Sequence, residues 1–107
     1  MINLPVNLGT IETFPNPSMD KPQVLKIPEE SAEVFSAWEN LCTDGHGAVM
    51  CRDNCQHFKF CSTVDRLADE CADVIMAVAN LLAALDITDA QPVMQRCVRR
   101  NRARGRM

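Results

Sequence analysis

The stretch Val64-Asp-Arg-Leu67-Ala-Asp-Glu70-Cys-Ala-Asp73-Val-Ile-Met-Ala77-Val-Ala-Asn80-Leu-Leu-Ala-Ala-Leu85 decides the fold. Leu67, Cys71, Val74, Ile75, Val78, Leu81, Leu82 and Leu85 recur at three- and four-residue spacing, which gathers them on one stripe of an α-helix. From Val74 to Leu85 the chain is apolar except for Asn80, well short of the roughly 20 residues that cross a bilayer. The stretch therefore predicts a buried helix over about 64–85 and no membrane span.

The same period precedes and follows it. Upstream, Val24, Ile27, Val34, Phe35, Trp38 and Leu41 predict a helix over 20–41, opened by an Asp20/Gln23 capping box. Pro28 falls inside it, removing one backbone donor and crowding the carbonyl of Val24, so a kink or restart is expected. Downstream, Thr88 and Gln91 form a second capping box with Ile87 at the staple position, and Gly105 is placed to end a third helix. Residues 1–19 hold Pro5, Pro15 and Pro17 among asparagines and read as an arm, with a short strand around Ile11–Phe14. Residues 42–62 lose the period and read as an insertion within a helical domain of residues 20–107. The expected class is all-α: a small bundle of two long helices plus a C-terminal helix. At 107 residues a single chain buries only about two thirds of its unfolded surface, so completion as a homodimer or homotetramer is expected.

Charge is divided along the chain. All 14 acids lie before residue 90, whereas Arg96, Arg99, Arg100, Arg102, Arg104 and Arg106 crowd the last 12 residues. An acidic body argues against general nucleic-acid binding and suits a cation held beside a phosphorylated small molecule. Taken alone, the basic tail reads as a solvated helix end whose cations complement the helix dipole. The N-terminus lacks a basic start followed by an apolar stretch, which leads to the expectation of a cytoplasmic protein.

An internal repeat links the two long helices. Glu30-Ser-Ala-Glu33-Val-Phe-Ser-Ala37 and Glu70-Cys-Ala-Asp73-Val-Ile-Met-Ala77 match in type at five positions with a constant offset of forty residues. Acids three apart share a helix face, with Cβ atoms roughly 5 to 6 Å from one another. One such pair is ordinarily a solvated face. Here both pairs border the apolar stripe: Glu30 and Glu33 flank Ile27 and Val34, and Glu70 and Asp73 flank Leu67 and Val74. Packing the stripes together would gather four carboxylates at one edge, and their repulsion calls for a cation. Oxygen ligands without His or Cys favour Mg²⁺ or Mn²⁺, which bridge carboxylates to phosphates.

The ordered set Glu30-x-x-Glu33 and Glu70-x-x-Asp73, with "ADECADVIMAVANLLAALDI" and the ending "RRNRARGR", resembles the MazG-like nucleotide pyrophosphohydrolases. The likeness covers about residues 24–40 and 64–106. The chain departs from the family's pattern in the longer spacing between Glu33 and Glu70 and in its proline-rich arm. The resemblance implies Mg²⁺-dependent attack of water between the α and β phosphates of a nucleoside triphosphate, giving a monophosphate and pyrophosphate. It assigns the metal to Glu30, Glu33, Glu70 and Asp73, with Glu33 as the base that takes the water's proton. Asn80, Asn101 and Arg104, with Arg102, are the candidate contacts to the nucleotide; helix-packing Asn and surface Arg are the plain readings of the same residues. Trp38 is either a base-stacking ring or core. A phosphoribosyl-ATP pyrophosphohydrolase cleaves the same bond type and is the alternative within this class.

Cys42, Cys51, Cys55 and Cys61, with His46 and His57 among them, are either a zinc or other metal site or separate thiols. No pair has two-residue spacing, and free thiols are the plainer reading. Cys71 and Cys97 read as core fillers. A second reading, from a different class, is a non-catalytic interaction protein whose insertion binds zinc and whose arginine tail meets nucleic acid or an acidic partner.

Overall fold

The structure, a computed structural model, describes residues 5–43 and 62–107. Among these it contains three helices and no strand: α1 (Lys21–Thr43), α2 (Ser62–Ala84) and α3 (Gln91–Ala103). The all-α expectation is met. Residues 42 and 43 continue α1 and residue 62 opens α2, so the expected insertion narrows to 44–61, which lies outside the described residues. The zinc-or-thiol question for Cys51, Cys55 and Cys61 falls there as well. None of the helices described is long and apolar enough to cross a membrane.

Helix α1 begins where the chemistry of Asp20 allows. Its Oδ1 accepts from the Gln23 N–H at 3.0 Å, satisfying one of the free donors of the first turn. Its Oδ2 accepts from Ser18 Oγ at 2.8 Å. The Gln23 N–H and the Ser18 hydroxyl favour the charged form and lower the Asp20 pKa from its usual 3.8. The expected restart at Pro28 does not occur, and α1 runs through the proline without a break. Pro28 is exposed, so its ring and the missing donor face water.

Helices α1 and α2 pack on each other. They run antiparallel, since Glu30 of α1 meets Asp73 of α2 while the earlier Gln23 shares a cleft with the later Asn80. Ala37 and Ala77, equivalent positions of the forty-residue repeat, are both buried, as is Leu41. Each alanine is a small residue on the packed face of its own helix, and small side chains there let the helix axes approach closely. The repeat extends further than the acid motif, because Asn40 and Leu41 correspond to Asn80 and Leu81.

Helix α2 ends in a Schellman motif: the Ile87 N–H donates to Leu82 O and the Asp86 N–H to Ala83 O, each at 2.9 Å. Asp86 supplies the left-handed residue, with φ 62°. Helix α3 ends the same way, with Arg106 N–H on Asn101 O and Gly105 at φ 74°, as its glycine foretold. Its start differs from expectation. The Thr88/Gln91 capping box does not form; Asp89 Oδ1 accepts from the Gln91 N–H at 3.0 Å, and Pro92 stands in the first turn. An acid two residues before Gln91 reaches its N–H in a tight turn, which displaces the more distant threonine.

The strand expected at Ile11–Phe14 is likewise absent, since the arm finds no strand to pair with. It docks through one bond instead. The Phe14 N–H donates to Asn80 Oδ1 at 2.9 Å, across 66 residues of sequence.

Much apolar surface is uncovered in the single chain. Val24, Leu25, Phe35 and Trp38 of α1, Val78 of α2 and Met94 of α3 are exposed, and α3 buries no residue. Trp38, expected as core or base platform, is 46% exposed and stacks on Phe35 with ring centroids 5.8 Å apart. Cys71 is exposed and does not fill the core, because the apolar stripe of α2 is wider than α1 alone can cover.

Candidate metal centre

Packing of α1 on α2 brings three of the four expected ligands together. One carboxylate oxygen from each of Glu30, Glu70 and Asp73 lies within 4.8 Å of the others. Glu30 and Glu70 are half-buried and Asp73 is exposed, so the cluster stands at the edge of the helix pair with one side open to water. Glu33 is outside this group of three, one turn along α1 on its exposed side. It is still near enough for its charge to act on Glu70.

The electrostatics follow from this arrangement. Partial burial raises the Glu70 pKa above its usual 4.5, and the charges of Asp73, Glu33 and Glu30 add to the rise. Arg66, one turn earlier on α2, opposes them without reversing the shift. Three hard oxygen donors with no nitrogen or sulfur among them suit Mg²⁺ or Mn²⁺, which accept a few carboxylates and complete their shell with water or phosphate.

The cluster shares Glu30 and Asp73 with a cleft of about 520 Å³, whose lining also includes Phe14, Met76, Ala77 and Asn80. A volume of this size falls in the range of small-molecule sites. Asn80, expected at the nucleotide, lines the cleft but is 3% exposed and engaged with the arm. Asn101 and Arg104 are not among the lining residues. Asn101 accepts from Arg106 Nη1 at 3.4 Å and donates to Cys97 Sγ at 3.5 Å, so its amide serves the C-terminal turn.

Sequence reasoning missed Phe14 and Lys26, which both line the cleft. Lys26 is the one cation among the lining residues and pairs loosely with Glu29 at 3.5 Å on the exposed face of α1. Its place was legible, since it lies one turn before Glu30 on the same helix face. The place of Phe14 was not, because a bond spanning 66 residues sets it.

Among the described residues, fold and site define a helical protein with a carboxylate cluster that shares two residues with a cleft. No protein-family profile, no characterised protein and no solved structure matches the chain.

Proposed function

We propose that the chain is a Mg²⁺-dependent nucleoside triphosphate pyrophosphohydrolase of the MazG-like kind. The observation that supports this most is the convergence of Glu30, Glu70 and Asp73, two of which line a cleft large enough for a nucleotide. Both acid motifs contribute across the helix seam, which a chance solvated face does not do. Glu30, Glu70 and Asp73 would hold the cation, which when bound would supply charge neutralisation at the phosphates and activation of water. Glu33, beside the cluster and outside the group of three, is left to take the water's proton. Lys26, one turn from Glu30 on α1, supplies a positive charge to the phosphates beside the carboxylates. The exposed apolar faces of α1 and α2 support a homodimer or homotetramer, in which Asn101 and Arg104 would reach a site on another copy. A cytoplasmic location fits this chemistry.

Pyrophosphate release from a panel of nucleoside triphosphates with Mg²⁺ tests the reading. Glu70→Gln keeps the side chain's shape and removes a ligand charge, so release should fall at least about 100-fold. Undiminished release in that variant contradicts the assignment.

A further inference from the structure

Phe14 is the feature of the cleft that the hydrolysis of a phosphoanhydride bond leaves unused. Its ring lines the cleft with 62% of the residue exposed, so it is not core. Its backbone is nevertheless fixed. The N–H donates to Asn80 Oδ1, and Asn80 is 3% exposed, so the anchor lies inside the helix pair. Pro15 and Pro17 restrict the chain on both sides of Asn16, which takes the left-handed conformation at φ 53° that asparagine tolerates. Tying the backbone at this residue leaves the arm less freedom to lose when a ligand arrives, which lowers the entropic cost of binding. Phe14, Pro22, Met76 and Ala77 give the cleft apolar lining, and Asp20, Glu30 and Asp73 with Lys26 give it charge. A ligand that suits both kinds of lining has a flat ring system joined to phosphates that a cation can bridge.

We infer that Phe14 is the base-stacking platform of the site. This rests on the proposed metal-dependent hydrolysis and assigns its specificity to the arm. The base is held chiefly by its face. Of the polar groups that line the cleft, the Asp20 carboxylate already accepts from Ser18 and Gln23 and Asn80 Oδ1 accepts from the arm itself, which leaves few groups to read the base edge. Stacking is tolerant of base identity, so discrimination among bases is weak.

The test measures binding to the full chain, with Mg²⁺, of a non-hydrolysable α,β-methylene nucleoside triphosphate and of inorganic triphosphate. Phe14→Ala should weaken nucleotide binding on the order of 10-fold, the loss expected of one stacked base. It should leave triphosphate binding unchanged, and Phe14→Trp should retain nucleotide affinity. Equal nucleotide affinity in Phe14→Ala overturns the inference. So does a parallel loss for both ligands, which would make Phe14 a support of the fold, or a change of oligomeric state in light scattering, which would make it a contact between copies. A parent chain that binds the nucleotide no better than triphosphate overturns the base-stacking role while leaving the metal site standing. A parent that binds neither removes the metal-site reading, and the inference with it.

Discussion

Helices α1 and α2 bring acids together across a packed seam, whereas α3 spreads four arginines along a helix that buries nothing. The acids converge because the two helices pack face to face: Ala37 and Leu41 of α1 and Ala77 of α2 are buried, and Glu30, Glu70 and Asp73 ride on the edge of that packing. Nothing comparable confines the arginines. Helix α3 is held by local devices, namely the Asp89 contact, Pro92 in the first turn, Arg100 and Arg102 in the last, and the Gly105 end. The cluster on α1 and α2 therefore carries mutual repulsion in the folded state, which the arginines spread along α3 do not show in the same way.

Enlarging the seam should break the contrast most severely. Ala37→Leu has no room at a position that is 1% exposed and should cost about 1 to 3 kcal/mol of stability. Met94→Ala on the exposed face of α3 should change stability by less than about 0.5 kcal/mol. Chemical denaturation of the two variants measures both, and equal effects would show that α3 packs as firmly as the pair.

The two helix ends give a finer comparison, because α2 and α3 finish in the same motif with different residues. Gly105→Ala places a Cβ at φ 74° and should cost about 1 kcal/mol. Asp86→Gly relieves the same conformation at φ 62° and should gain about 0.5 kcal/mol. Thermal melts of both variants check the opposite signs.

The smallest effects come from pH, again with opposite signs. Glu70 has a raised pKa, so the metal-free folded state binds its proton more tightly than the unfolded chain does. Its destabilising contribution at neutral pH is relieved as pH falls through the raised value toward 4.5. Asp20 has a lowered pKa, so its contribution is present above 3.8 and is lost as pH falls through the lowered value. Melting curves from about pH 3 to about pH 7 on Glu70→Gln and Asp20→Asn separate the two windows. A parent profile unchanged by either substitution would contradict both shifts.

How far the sequence could be read depended on the range of the interaction. The apolar period placed α1 and α2 to within a few residues, and the forty-residue offset pointed to the acids that now meet. Gly105 announced its helix end because glycine is the usual residue at a left-handed position. The end at Asp86 and the start at Asp89 were hidden, since aspartate serves turns, caps and surfaces alike. The tie between Phe14 and Asn80 was hidden more deeply, because no local pattern reports a bond between an arm and a helix 66 residues away. Placing Glu33 beside the cluster rather than within the group of three needed the crossing of the helices, which periodicity does not specify.

The most direct test of the carboxylate cluster as a cation site is a pair of thermal melts with and without Mg²⁺, on the parent and on Glu70→Gln. A cation that binds only the folded protein stabilises it by mass action, so Mg²⁺ should raise the parent's melting temperature. The metal-free Gln variant should melt no lower than the metal-free parent, since one repelling charge has gone, and it should lose most of the Mg²⁺ response. A parent indifferent to both Mg²⁺ and Mn²⁺, or a Gln variant that keeps the full response, would contradict the account.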